Sequence, residues 1–136
     1  MLQAYSSNLS VAASAAFPFN NLTVDKGCAE TLSAPASIQL NQRGVYLVEV
    51  DGFATGSESA SNTAQLYANG VAIPQAISTY AVAAGDVSNF GFKTLVQVMT
   101  NNCSCNCATS PTVIQVMNGE SAITDGHINI IVTKLH

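Results

Sequence analysis

Charge is what this chain has least of. Lys, Arg, Asp and Glu make up 9% of its 136 residues, against about a quarter of an average globular domain. Four residues are basic (Lys26, Arg43, Lys93 and Lys134), and the net charge is −4. Nucleic-acid backbones are held by clustered Lys and Arg that displace counterions, so four scattered cations exclude nucleic acid as a partner. No apolar run approaches the roughly 18 residues that a membrane-spanning helix needs, and no membrane span is expected. The opening MLQAYSSNLSVAASAAFPF has an Ala-Ser-Ala at 13–15 but neither a basic leader nor a continuous apolar stretch. It reads as mature protein and not as an export signal. Catalytic signatures are missing as well: there is no Gly-x-Ser-x-Gly elbow, phosphate loop or clustered carboxylate pair. The expectation is a protein that is not an enzyme.

What remains is apolar or neutral. Hydrophobic residues make up 48% of the chain, and Ser, Thr, Asn, Gln and Gly dominate the rest. A monomer of this size ordinarily wears a charged, solvated skin. A skin this poor in charge points to coverage by neighbouring copies.

The apolar pattern repeats every two residues. Strand-like segments rich in Val, Ile, Tyr, Phe and Thr run over 44–55, 63–74, 90–100, 112–118 and 127–135, with weaker ones at 19–24, 37–40 and 76–82. Gly, Asn, Asp and Pro separate them, as turns require, and Asn69-Gly70 is a tight-turn signal. Segments 83–89 and 118–126 read as loops. Eight to ten short strands in one domain's length mean an all-β sandwich or barrel.

Strand parity goes further. Tyr46, Val48 and Val50 share one face of their strand, as do Phe90, Phe92, Thr94, Val96 and Val98, and Ile128, Ile130 and Val132. The opposite faces carry Val45, Leu47 and Glu49; Lys93, Leu95, Gln97 and Met99; and Asn129, Ile131, Thr133 and Leu135. They are half apolar where a solvated face would alternate cleanly, and they read as a subunit interface. Gln65 and Gln115 mark an outer sheet instead. Glu49 and Lys93 are the charges on these mixed faces, and they are expected to approach within about 8 Å, a Debye length.

The phrases GVYLVEVDG, then QLYANGVAIPQA, then a closing INIIVTKL resemble the tumour necrosis factor-like superfamily, which includes the globular heads of complement and collagen-like proteins. The nearest resemblance is to short, cysteine-bearing versions from phages and spore-forming Gram-positive bacteria. It covers residues 15–136 and implies a ten-stranded jelly-roll sandwich assembled as a compact homotrimer. Residues 1–14 are then a docking segment or an edge strand, and a Gly-X-Y stalk like that of the collagen-linked members is not expected. The resemblance assigns 17–24, 44–55, 90–100 and 127–135 to the inner sheet. It places Val45, Leu47, Glu49, Lys93, Leu95, Gln97, Ile131, Thr133 and Leu135 at the threefold axis.

Three of the four cysteines, Cys103, Cys105 and Cys107, fall within five positions. In a jelly roll their loop lies at the end where His136 finishes, and Cys28 lies at the opposite end. A bridge from Cys28 to the loop is not expected, because a disulfide needs Cα atoms within about 7 Å. The Cys-x-Cys-x-Cys spacing departs from the Cys-x2–4-Cys pairs that ligate zinc. Passive thiols, disulfides within or between subunits, and a metal held by these cysteines with His136 all stay open; no other cofactor is expected. Asp51-Gly52 and Asp125-Gly126 read as turns, and His127 as a locally paired residue opening the last strand.

These readings converge on a trimeric structural protein displayed on a virion surface, as a capsid decoration, head fibre or tail-associated adsorption module. Its partners would be other virion proteins or host-surface glycans. The alternatives are a recognition module that binds glycans or host-surface proteins through loops 55–63, 83–89 and 118–126, and a bacterial spore-surface (exosporium) protein of the same fold.

Overall fold

The computed structural model describes residues 1–56, 58–99 and 112–136. They form ten strands: β1 (Leu2–Val11), β2 (Asn21–Asp25), β3 (Glu30–Ala34), β4 (Ser37–Leu40), β5 (Gly44–Gly56), β6 (Ala60–Ala68), β7 (Val71–Val82), β8 (Ser88–Val98), β9 (Thr112–Asn118) and β10 (Ile123–Lys134). Two five-stranded sheets result, in the orders β2-β1-β10-β5-β8 and β3-β4-β9-β6-β7. Every pairing is antiparallel. No helix occurs among the described residues.

The apolar parity explains the sandwich. Tyr46, Val48 and Val50, Val96 and Val98, and Ile128, Ile130 and Val132 are all buried, and they share a core with Leu66, Ile114, Val116, Ile38 and Leu40 of the second sheet. Phe17 and Phe19, on the segment that follows β1, are buried too, and Phe17 packs on Phe90 with ring centroids 5.6 Å apart. Asn69 and Gly70 join β6 to β7 with φ of 50° and 80°, the double positive φ that a two-residue hairpin of this hand requires.

The strand within residues 1–14 is not an edge strand. β1 lies inside its sheet, paired with β2 on one side and β10 on the other. Leu2, Ala4, Leu9 and Val11 enter the core. A bulge at Asn8 (φ 54°) changes the phase of the strand, so even-numbered residues face inward before it and odd-numbered ones after it. A matching irregularity at Asp125 (φ 47°) lets both Ile123 and Ile128 face the core. The extra residue in a bulge has this effect on side-chain parity. It also makes strand of residues 123–126, where the pattern suggested loop, and it sets His127 inside β10 and not at its start. β3 has no counterpart among the expected strands. The inner sheet therefore holds β1 in addition to the segments assigned to it.

Candidate subunit interface

Register turns the outward side of the first sheet into a grid. Leu47 pairs with Leu95 and Thr133, Glu49 with Lys93 and Ile131, and Val45 with Gln97. The Leu135 amide donates to the Val45 carbonyl at 2.7 Å, which completes the third row. All nine residues expected at an axis thus stand on one surface: three from β5, three from β8, Ile131 and Thr133 from β10, and Leu135 just after it. Residues directly opposite on one sheet face have Cβ atoms about 5 Å apart, so each row forms one continuous patch.

Leu95, Met99 and Leu135 are 56%, 66% and 47% exposed in the single chain. Between the leucine row and the middle of the sheet, Lys93 Nζ lies 3.8 Å from Glu49 Oε1, so the expected ion pair forms. Toward the far end the face becomes aromatic. The His127 ring stacks on Phe53 at 5.2 Å and lies 6.1 Å from Tyr5, and its Nδ1 is 3.1 Å from Ser7 Oγ. Gln3 extends the surface onto β1 by donating from Nε2 to Asn129 Oδ1 at 3.1 Å. These β1 residues escaped the strand pattern because the strand itself did. A groove beside Gly91 runs along Glu49, Asp51 and Lys93 on the same face.

No family model and no curated protein matches the sequence. Solved structures do match. The globular domain of zebrafish complement 1qA aligns over 99% of this chain and 96% of its own at a TM-score of 0.70 and 6% identity. Murine APRIL aligns over 98% of each chain at 0.62 and 6%. Vertex protein P5 of the phage PRD1 aligns over 99% and 96% at 0.60 and 17%. The fold is that of the tumour necrosis factor-like jelly roll. At these identities the likeness is one of fold.

In this TNF-like domain one expectation about the cysteines is overturned. Cys28 is disulfide-bonded, and it stands at the end where it was not expected. With β1 present, β2 lies one place further from β10 and runs in the opposite direction to that assumed, so its exit is at the end where β10 finishes. Asn41 Nδ2 donates to the Cys28 carbonyl at 3.1 Å, and Gln42 Nε2 approaches Cys28 Sγ at 3.7 Å. The same end holds the Gly44–Val98 and Leu40–Thr112 pairings, the last strand pairing before the cysteine-rich segment and the first after it. Cys103, Cys105 and Cys107 lie outside the described residues, as do Ser57 and Thr100. His136 is exposed at this end, and a Cβ on Gly44 would collide with its backbone carbonyl. Among the described residues no three His, Cys, Asp or Glu side chains gather as a metal site.

The same end contains a buried carboxylate. Glu30, 1% exposed, accepts from the Lys134 amide at 2.8 Å and from the Met1 amino group at 2.9 Å. Next to it the Tyr46 hydroxyl donates to the Gln42 carbonyl at 2.7 Å. Burial pushes the Tyr46 phenol above its ordinary value, the bond to Gln42 pulls it back, and the Glu30 charge adds to the rise.

Proposed function

We propose that this protein is a non-enzymatic structural protein that assembles as a homotrimer through the outward face of the β2-β1-β10-β5-β8 sheet and is displayed on a virion surface. The carrying observation is the grid. Leu47, Leu95, Ile131 and Leu135 form one half-apolar surface around a single ion pair, in a chain with 9% charged residues. An exposed patch of this kind marks a contact with another protein surface. A heterologous contact repeated between neighbouring copies closes into a ring when its rotation is threefold. Display on a virion is supported by the shared fold with the PRD1 vertex protein. No helix among the described residues is long and apolar enough to cross a membrane.

Light scattering on the native protein tests the assembly. The expected mass is three times that of the 14.1 kDa chain. A monomer at micromolar concentration would overturn the reading. Detection of the chain in purified particles at a fixed ratio to the major capsid protein tests the location, and its absence from particles would remove the virion role while leaving the assembly intact.

A further inference from the structure

The outward side of the second sheet is not flat. Between β6, β9 and the segment leaving β1, a concavity of about 280 Å³ opens to solvent, lined by Ser14, Thr63, Gln65, Tyr67, Met117 and Glu120. Its frame is a buried amide network. Asn118, 4% exposed, donates from Nδ2 to the carbonyls of Val11, Ala12 and Ser121 at 3.3, 3.1 and 2.9 Å. Asn62, 1% exposed, donates to Asn118 Oδ1 at 2.9 Å and to the Tyr80 hydroxyl at 3.1 Å. Two backbone bonds of 2.8 Å, from the Ser14 amide to the Gly119 carbonyl and from the Gly119 amide to the Thr63 carbonyl, tie the walls together. The walls come this close because Gly119 has no side chain; a Cβ there would lie 2.6 Å from Asn62 Oδ1.

The frame uses up its own polar groups, and the lining does not. Among the described residues the hydroxyls of Ser14, Thr63 and Tyr67 and the carboxylate of Glu120 have no hydrogen-bond partner. Gln65 commits Nε2 to the Ile73 carbonyl at 3.2 Å and keeps its Oε1 available. Hydroxyls, an amide oxygen and a carboxylate are donors and acceptors suited to a polyol. Tyr67 and Met117 supply an apolar surface on which the C–H face of a sugar ring can lie. Among the described residues no Lys, Arg or His lines the concavity, and Glu58 and Glu120 line the neighbouring hollow. Anionic ligands, phosphates included, are therefore disfavoured. The volume sits at the lower end of small-molecule sites, about 300 Å³, which is room for one ring.

We propose that this concavity binds a neutral carbohydrate, one pyranose-sized unit per chain. It lies on the side of the sandwich opposite the proposed subunit contact, so assembly leaves it open. Binding at one site does not depend on the trimer reading; only avidity does.

Amide NMR titration of the whole native protein with the methyl glycosides of glucose, galactose, mannose and N-acetylglucosamine tests this, with N-acetylneuraminic acid as the anionic comparison. The expected result is a saturable shift at Ser14, Thr63, Tyr67 and Glu120 for at least one neutral glycoside and a weaker one for the acid. Tyr67→Ala should weaken the binding by about tenfold, whereas Tyr67→Phe should retain most of it, because the ring supplies the stacking surface. Light scattering on Tyr67→Ala separates lost binding from lost assembly. If that variant does not fold, Glu120→Ala at an exposed position gives the same readout. The proposal is overturned by no saturable shift with any neutral glycoside at tens of millimolar, by shifts that map elsewhere, or by binding that survives these alanine variants unchanged.

Discussion

On the outward side of β5, β8 and β10, Leu95 and Met99 stand more than half exposed beside Leu47 and Ile131. On the outward side of β6, β9 and β4, comparable positions hold Thr63, Gln65, Tyr67, Gln115 and Gln39, all of them polar; Gln65 Nε2 donates to the Ile73 carbonyl at 3.2 Å and Gln115 Nε2 to Ser37 Oγ at 3.0 Å. The inward faces of the two sheets are equally apolar. What differs is the environment each outward face is suited to. A neutral polar face is satisfied by water or a polyol, whereas a half-apolar face gains by being covered, about 1–2 kcal/mol for each large side chain removed from water.

The comparison is broken most severely by placing a charge in the grid. Leu47→Asp or Ile131→Asp should abolish the trimer, because a carboxylate buried without a partner costs several kcal/mol, and light scattering should read monomer or aggregate. Gln115→Asp on the other sheet should leave the mass unchanged. A normal trimer from either grid variant would mean that the two faces have been assigned the wrong way round.

A smaller loss, about 1–3 kcal/mol, is expected from Asn118→Ala, which takes a donor from the Val11, Ala12 and Ser121 carbonyls and an acceptor from the Asn62 amide. Denaturant unfolding of the native protein should show it. An unchanged midpoint would mean that water replaces the side chain and that the frame of the concavity is not rigid.

Alkaline pH should act on the interior of the sandwich through two buried phenols. Burial raises the phenol values of Tyr46 and Tyr80, in the second case against a bond from Asn62. The folded state thus holds these protons more tightly than the unfolded chain does. Their contribution is fully present below the ordinary phenol value of about 10 and is lost as pH rises through the higher folded values. Thermal melts above about pH 10 should fall steeply, and Tyr46→Phe should flatten part of that fall. Equal slopes for the variant and the native protein would assign the loss to other groups.

The smallest effect belongs to the ion pair. Lys93 is largely exposed in the single chain, so a double-mutant cycle of Glu49→Gln and Lys93→Met in a monomeric background should give no more than about 0.5 kcal/mol. A larger coupling in the trimer than in the monomer would show that assembly removes the pair from water. Equal coupling would place the pair at the rim.

Much of this architecture was legible from parity alone. Strands β5, β8 and β10 alternate without interruption through their central residues, so Leu47, Leu95 and Thr133 could be put on one face before any pairing was known. Asn69-Gly70 announced its hairpin because few other residue pairs tolerate two positive φ values. β1 was hidden because the bulge at Asn8 splits its apolar positions into two short runs of opposite phase, neither long enough to register as a strand. The error over Cys28 followed from that omission, since leaving out one antiparallel strand reverses the direction of the next. The concavity had no signal of its own: Ser14, Thr63 and Glu120 come from three distant segments and carry no spacing motif.

The sequence by itself determined which side chains go inward, where the tightest turn falls, and that one sheet would carry a half-apolar outward face. Those properties depend on neighbours one and two residues apart and on the two-residue period of an extended chain. The tertiary structure decided which strand lies beside which, the end of the sandwich at which Cys28 stands, and the meeting of hydroxyls, amide and carboxylate around Tyr67. Backbone hydrogen bonds between strands are chemically the same for any pair of partners, so the choice among them is made by packing of the whole core, which no local pattern records.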